Sequence, residues 1–342
     1  MSLTPSCALT LGNLKYDTHL SNVVATLALL PAVNSVVAHL PTGVEVSASP
    51  DDAALLELDG GDGASTVMSG RVRGFHRSIH VTQAVVADAG ADLSAYRPAT
   101  TFEKQDAGDV IRALASDAGV SIGVLDVSLQ LAAYVAHQRR TAAEHIAYLA
   151  GLAGAIATVD ADGELNVIPR PGEQPELALL YGREIIDYDV REVPGPSVQR
   201  VIIGSGSAGA ANAPDALRPG SSHLPGNAPQ PGTSAVWQSA AVLRTPSAAI
   251  TASQAATTEA AALASTVTML CFLLPGVRPG MVIEVQQLPD EVSGGPWLVT
   301  RVTHHLEPNL GGMTAIEGQS AGAGGGLGDL LGAAIAAVGS IL

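Results

Sequence analysis

Pro296-Trp297-Leu298-Val299-Thr300-Arg301-Val302-Thr303-His304-His305 reads as one long β-strand, and the chain around it reads the same way. Before it, Pro279-Gly280 turns into a strand from Met281 to Val285, with Pro289 to Gly295 as the connection. After it, Gly311-Gly312 turns into Met313 to Glu317. Upstream, Thr266 to Leu274 places Val267, Met269, Cys271 and Leu273 on one face, behind a short Ala-rich helix from Ala255 to Ala264. The first ninety residues are also mostly strand. Cys7, Leu9 and Leu11 alternate with Ala8 and Thr10, and Val44 to Ala48 forms another short segment. Val67 to Phe75 fits an edge or barrel strand that bends at a glycine. Asp59-Gly60-Gly61-Asp62-Gly63 is a turn between strands; its acids lack the twelve-position pattern and final Glu of a calcium loop.

Between these strand regions the hydrophobic period changes. Ala107, Val110, Ile111, Leu114 and Ala118 recur at helical spacing, with Asp106 as N-cap and Gly119 as stop. A second helix opens at Thr141, where Thr141 to Glu144 is a capping box; Ile146, Leu149, Ala150 and Ala153 form its buried face. Ala155 to Val159, the turn Asp160 to Gly163, and Glu164 to Ile168 make a hairpin. Strands resume at Ile185 to Arg191 and Val198 to Ile203. Residues 204–247 then lose periodicity and read as a long exposed loop. The expected class is mainly β with an α/β insertion, antiparallel and barrel-like.

Composition narrows the function. Lys and Arg number 17 against 32 Asp and Glu, a formal net charge of −15, which argues against a nucleic-acid partner. Two cysteines, Cys7 and Cys271, give neither a disulfide scaffold nor metal spacing. The opening MSLTPSCALT lacks the basic-then-apolar order of a secretory signal. No apolar run is long enough for stable membrane insertion.

The chemical motifs resolve against enzymes and cofactors. Gly204, Gly206 and Gly209 match GxGxxG after a strand. Pro214 and Pro219 make the following segment a poor helix, though, and no acid for a ribose follows between Asp215 and Glu259. His304 and His305 point to opposite faces of their strand and cannot chelate one ion from it; His137 and His145 lack zinc spacing. Asp187 and Asp189 share a strand face and are the carboxylates a wall hydrolase would use, yet a solvated face explains them as well. No catalytic, cofactor-binding or metal site is therefore expected. Arg71, Arg73 and Arg77, with His76 and His80, form the main basic patch, and Arg139-Arg140 a smaller one. These five arginines are the candidate intersubunit contacts.

The order of these segments resembles the late control D family of phage baseplate hubs, related to the hub part of type VI secretion spike proteins. Three stretches carry the resemblance. Thr101 to Ala115 is similar to the helix opening the family's inserted module. Ala136-His137-Gln138, Thr141 to Glu144 and Leu149 to Gly154 resemble its "Q … LA…G" stretch. Arg278-Pro279-Gly280 with Pro296 to His304 resembles its "lrpG … V..v.H" ending. The resemblance implies two related barrel domains per subunit with an α/β insertion. It also implies a homotrimeric ring whose six barrels meet a sixfold inner tube and whose threefold face holds a separate trimeric spike, among other baseplate components. Such a protein is assembled in the bacterial cytoplasm and ends in a phage tail or contractile injection particle. The implied division is 1–95 first barrel region, 96–172 inserted module, 173–205 return strands, 206–250 Gly/Pro/Ser/Ala-rich loop, 251–320 second barrel region, and 321–342 Ala/Gly-rich tail.

Overall fold

A computed structural model describes residues 5–193, 199–204, 235–240, 242–289, 292–307 and 311–322 of the chain. Seven strands come first: β1 (Ser6–Leu11), β2 (Leu14–Tyr16), β3 (Asn22–Ala28), β4 (Ser35–Pro41), β5 (Ala53–Asp59), β6 (Ala64–Arg77) and β7 (Val81–Ala87). The module follows as α1 (Ala89–Ala95), β8 (Thr100–Asp106), α2 (Ala107–Asp117), β9 (Ile122–Leu125), β10 (Gln130–Ala136), α3 (Ala142–Leu152), β11 (Ala155–Val159) and β12 (Leu165–Pro169). The chain continues as β13 (Leu177–Leu180), β14 (Ile185–Glu192), β15 (Gln199–Gly204), β16 (Ala235–Ala240), α4 (Pro246–Ala262), β17 (Ser265–Phe272), β18 (Val282–Gln286), β19 (Trp297–Glu307) and β20 (Gly311–Ser320).

Strict alternation builds the main sheet. Val23, Ala25 and Leu27 of β3, Val36, Ala38 and Leu40 of β4, and Val267, Met269 and Cys271 of β17 all turn inward while their neighbours face out. The strands run β14-β17-β20-β19-β3-β4-β7-β6-β5-β1-β2, and β18, carrying β13, joins at β19. The mainly β class with its α/β insertion thus holds, and the two strand regions flanking the insertion are joined through one sheet. β3 pairs antiparallel with β19 over six residue pairs, Val23–Ala28 against Arg301–Leu306. One core takes Leu9, Leu58 and Val72 from the first region and Met269, Trp297 and Ile316 from the second. Among the described residues the hydrogen-bonded ladder does not close into a barrel.

The sheet curls because β6 carries two extra residues. Val67 has no opposite number on β5, and Arg73 has none on β7. The curl brings the β5–β6 turn against the chain after β17. A Cβ on Gly60 would lie 2.6 Å from the Leu273 carbonyl oxygen, and Arg278 donates to the carbonyls of Thr66 and Val67. The glycine bend expected in this strand is a pair of bulges. Gly70 between them passes so close to β7 that a Cβ would sit 2.4 Å from the Ala87 oxygen.

Some local expectations need correction. Val44 to Ala48 is irregular chain, not strand. Val44 and Val46 rest half-buried on the core, but among the described residues no neighbouring strand offers them a ladder. Thr100–Asp106, inside the stretch aligned with a helix, is strand β8 paired with β10, and the helix begins only after the Asp106 cap. The helix placed at Ala255 to Ala264 is α4, which starts at Pro246: Thr245 accepts from Ala248 N, and proline occupies the first turn, where its missing N–H costs nothing. The stretch read as loop also contains β16, parallel to β15. Residues 205–234 and the tail beyond Gly322 lie outside the described residues.

The module has its own core, formed by Ile111 and Leu114 of α2, Ile146 and Leu149 of α3, and Leu165 and Val167 of β12. It draws in Leu243 together with Ala248 and Ala252 of α4 from beyond the low-complexity stretch. Both halves of the predicted capping box form on α3: Glu144 N donates to Thr141 Oγ1 at 3.2 Å, and Thr141 N donates to Glu144 Oε2 at 2.7 Å. Those bonds hold Glu144 below the usual carboxylate range, the Thr141 N–H being the main cause. Thr141→Ala is expected to cost about 1 kcal/mol in denaturant unfolding, with Thr141→Ser close to wild type. Equal loss in both variants would assign the effect to the methyl group instead of the cap.

Candidate functional site

A buried polar cluster lies where the sheet meets the module. Asn34, between β3 and β4, accepts from Ala28 N through Oδ1 at 2.8 Å. Its Nδ2 donates to Asp88 Oδ2 at 2.7 Å and to the Val159 oxygen at 3.2 Å. Asp88 follows β7 and caps α1, accepting from Gly90 N at 2.9 Å, and is 1% exposed. Burial pushes the Asp88 carboxyl up to about 6, against the pull of its donors Gly90 and Asn34. Leu30 N to Ala157 O and Ser69 N to Ala161 O complete the joint. Its chemistry is that of a fixed hinge pin, with its polar groups turned toward the chain.

This joint claims one of the five predicted contact arginines. Arg73 donates to Asp92 Oδ1 at 2.9 Å and lies 3.8 Å from Asp51, both in its own chain. Its bulge position separates it from Arg71, which stays exposed. Arg77 is exposed with its guanidinium 5.2 Å from the centre of the Phe75 ring. Arg140 covers Tyr148 in the same way at 4.8 Å, and Arg139 is exposed beside it.

The histidines divide as their strand positions predicted. His304 is fully buried, its Nδ1 3.0 Å from Thr314 Oγ1, while His305 reaches Asn22 and Glu307 on the outer face. Burial lowers His304 to about 4, and nearby Arg278 adds to the effect. His145 is buried between the Tyr134 hydroxyl, 2.6 Å from Nδ1, and the His137 carbonyl, 3.1 Å from Nε2, pinning α3 to β10. Among the described residues no group of three potential metal ligands converges. Asp187 and Asp189 are exposed on β14, the strand at one end of the sheet path. Gly204 closes β15; Gly206 and Gly209 lie outside the described residues.

The sequence matches no protein-family profile and no curated protein. Solved structures do resemble the fold. The 43 kDa tail protein of prophage MuSo2 from Shewanella oneidensis superposes with a TM-score of 0.67 at 14% identity, covering 94% of this chain and 99% of that one. The tail protein from Neisseria meningitidis MC58 gives 0.65 at 13% identity, covering 93% and 97%. The chain has the fold of phage tail proteins. The tail-protein fold also extends to the E. coli c3393 protein, described as a component of the type VI secretion system with structural similarity to T4 bacteriophage tail proteins. There the TM-score is 0.60 at 10% identity over 91% of this chain and 76% of that one.

Proposed function

We propose that the chain is a structural component of a phage tail or contractile injection particle, acting as the baseplate hub that joins an inner tube to a spike. The observation that carries this reading is the extent of the likeness: it spans nearly the whole of this chain and of a tail protein, not one shared domain. In this reading three copies close into a ring, each presenting its N-terminal and C-terminal strand regions. Six similar surfaces then face a sixfold tube while the threefold underside holds the spike. A closed ring satisfies all its contacts and stops growing, as an adaptor between two symmetries must. Arg71, Arg77, Arg139 and Arg140 are the basic contacts offered to neighbours on an acidic surface, and the particle is assembled in the bacterial cytoplasm.

Electron microscopy of the purified protein tests the proposal. Threefold rings around a pore are the expected result. A stable monomer at micromolar concentration that binds neither tube nor spike protein would overturn it.

A further inference from the structure

Two surface features of the chain are complementary. The first is the tip of the β6–β7 hairpin. Past Val72, which still exchanges hydrogen bonds with Asp51 and Asp52, β7 is the strand partner of β6 among the described residues, and Thr42 donates to the carbonyls of Ile79 and His80 at the tip. At the tip Ile79 is 84% exposed, the highest value among the large hydrophobic side chains described, and exposed His76, Arg77 and His80 surround it. A bare isoleucine beside an arginine is a poor surface for water and a good one for an apolar cleft that carries a carboxylate.

The second is such a cleft. Where the curled sheet brings β1 and the 17–20 segment near the end of β19 and the start of β20, a cavity of about 320 Å³ opens. Its apolar lining includes Pro5, Cys7, Leu20, Val23 and Leu306, of which Cys7, Leu20 and Leu306 are half-buried and pack against the main core. Asp17 and Glu307 also line it, and Glu307 is already held by Asn22 and His305. Among the described residues β2 pairs with Leu9–Leu11, so the Ser6–Ala8 part of β1 has β5 on one side and borders the cleft on the other.

We propose that the hairpin tip of one copy docks in this cleft of the next, Ile79 seated against Leu20, Val23 and Leu306, with Arg77 meeting Asp17. The contact is head-to-tail, and it closes into a ring when the rotation between copies divides a full turn. It rests on the reading of the chain as a self-assembling tail component and supplies the surface that reading lacks.

The native Cys7 makes the test direct. In full-length Ile79→Cys protein, mild copper–phenanthroline oxidation should link the introduced thiol at the hairpin tip of one copy to Cys7 of the next, giving covalent dimers and trimers on non-reducing gels. The ladder should vanish in Ile79→Cys/Cys7→Ser, since Cys271 is buried. Arg77→Glu should weaken self-association about tenfold, and Arg77→Glu/Asp17→Arg should restore it. Rings that persist in Ile79→Asp without any Cys7-dependent cross-link would overturn this contact and leave the hub reading standing. A disulfide that survives Cys7→Ser would show tip meeting tip and overturn it too. Monomers of wild type under every condition would remove the hub reading and this contact together.

Discussion

Trp297→Ala should lower the unfolding free energy by about 3–5 kcal/mol, the range for emptying a core of its largest side chain. Trp297 is 2% exposed at the start of β19 and pairs with Ile283 of β18 on one side and Ser320 of β20 on the other. Its Nε1 donates to the Tyr188 hydroxyl at 2.8 Å, which in turn donates to the Ser293 carbonyl at 2.6 Å. Alanine would remove both the packing and the head of this chain of bonds. Trp297→Phe keeps most of the packing and should cost about 1–2 kcal/mol, leaving the Tyr188 oxygen without its indole donor. Because one core serves both strand regions, the alanine variant should unfold in a single shifted transition. A loss below about 1 kcal/mol, or a split transition, would contradict the shared core.

The second large effect is a pair of opposed pH dependences. Asp88 is raised from 3.8 to about 6 in the folded protein, so its stabilising contribution is complete below pH 4 and is lost as pH rises through 6. His304 is lowered from 6.5 to about 4, so its contribution is complete above pH 6.5 and is lost as pH falls through 4. Each amounts to about 3 kcal/mol, and they act in the same window with opposite signs. The wild-type profile should therefore conceal both, and only differences expose them. Between pH 7 and 4, wild type should gain about 3 kcal/mol relative to Asp88→Asn and lose a similar amount relative to His304→Gln. Differences that stay flat across that range would refute the assignment.

Much of the fold was readable because the determining signals are local. Alternation at Cys7, Leu9 and Leu11 or at Val267, Met269 and Cys271 states which side is buried, and Asp106 and Thr141 state where helices begin. Alternation names a face but no partner, so the β3–β19 seam that joins the two strand regions could not be read. Val44 and Val46 alternate without any strand to meet, and Pro246 looks like a breaker until its place in the first helical turn is known. The polar joint stayed hidden for a similar reason. Asn34 and Asp88 lie 54 positions apart and belong to no local motif, and Arg73 reads like Arg71 until the bulge sets them apart. For His304 and His305 the two-residue period alone was enough.

The seam between β3 and β19 also sets a timetable for biosynthesis. Val24 leaves the ribosome about 280 residues ahead of its partner His305. At about 5–20 residues per second, that is a wait of roughly fifteen seconds to a minute. Throughout that interval one edge of the nascent β3–β4–β7 ladder stands open to pairing with another nascent copy.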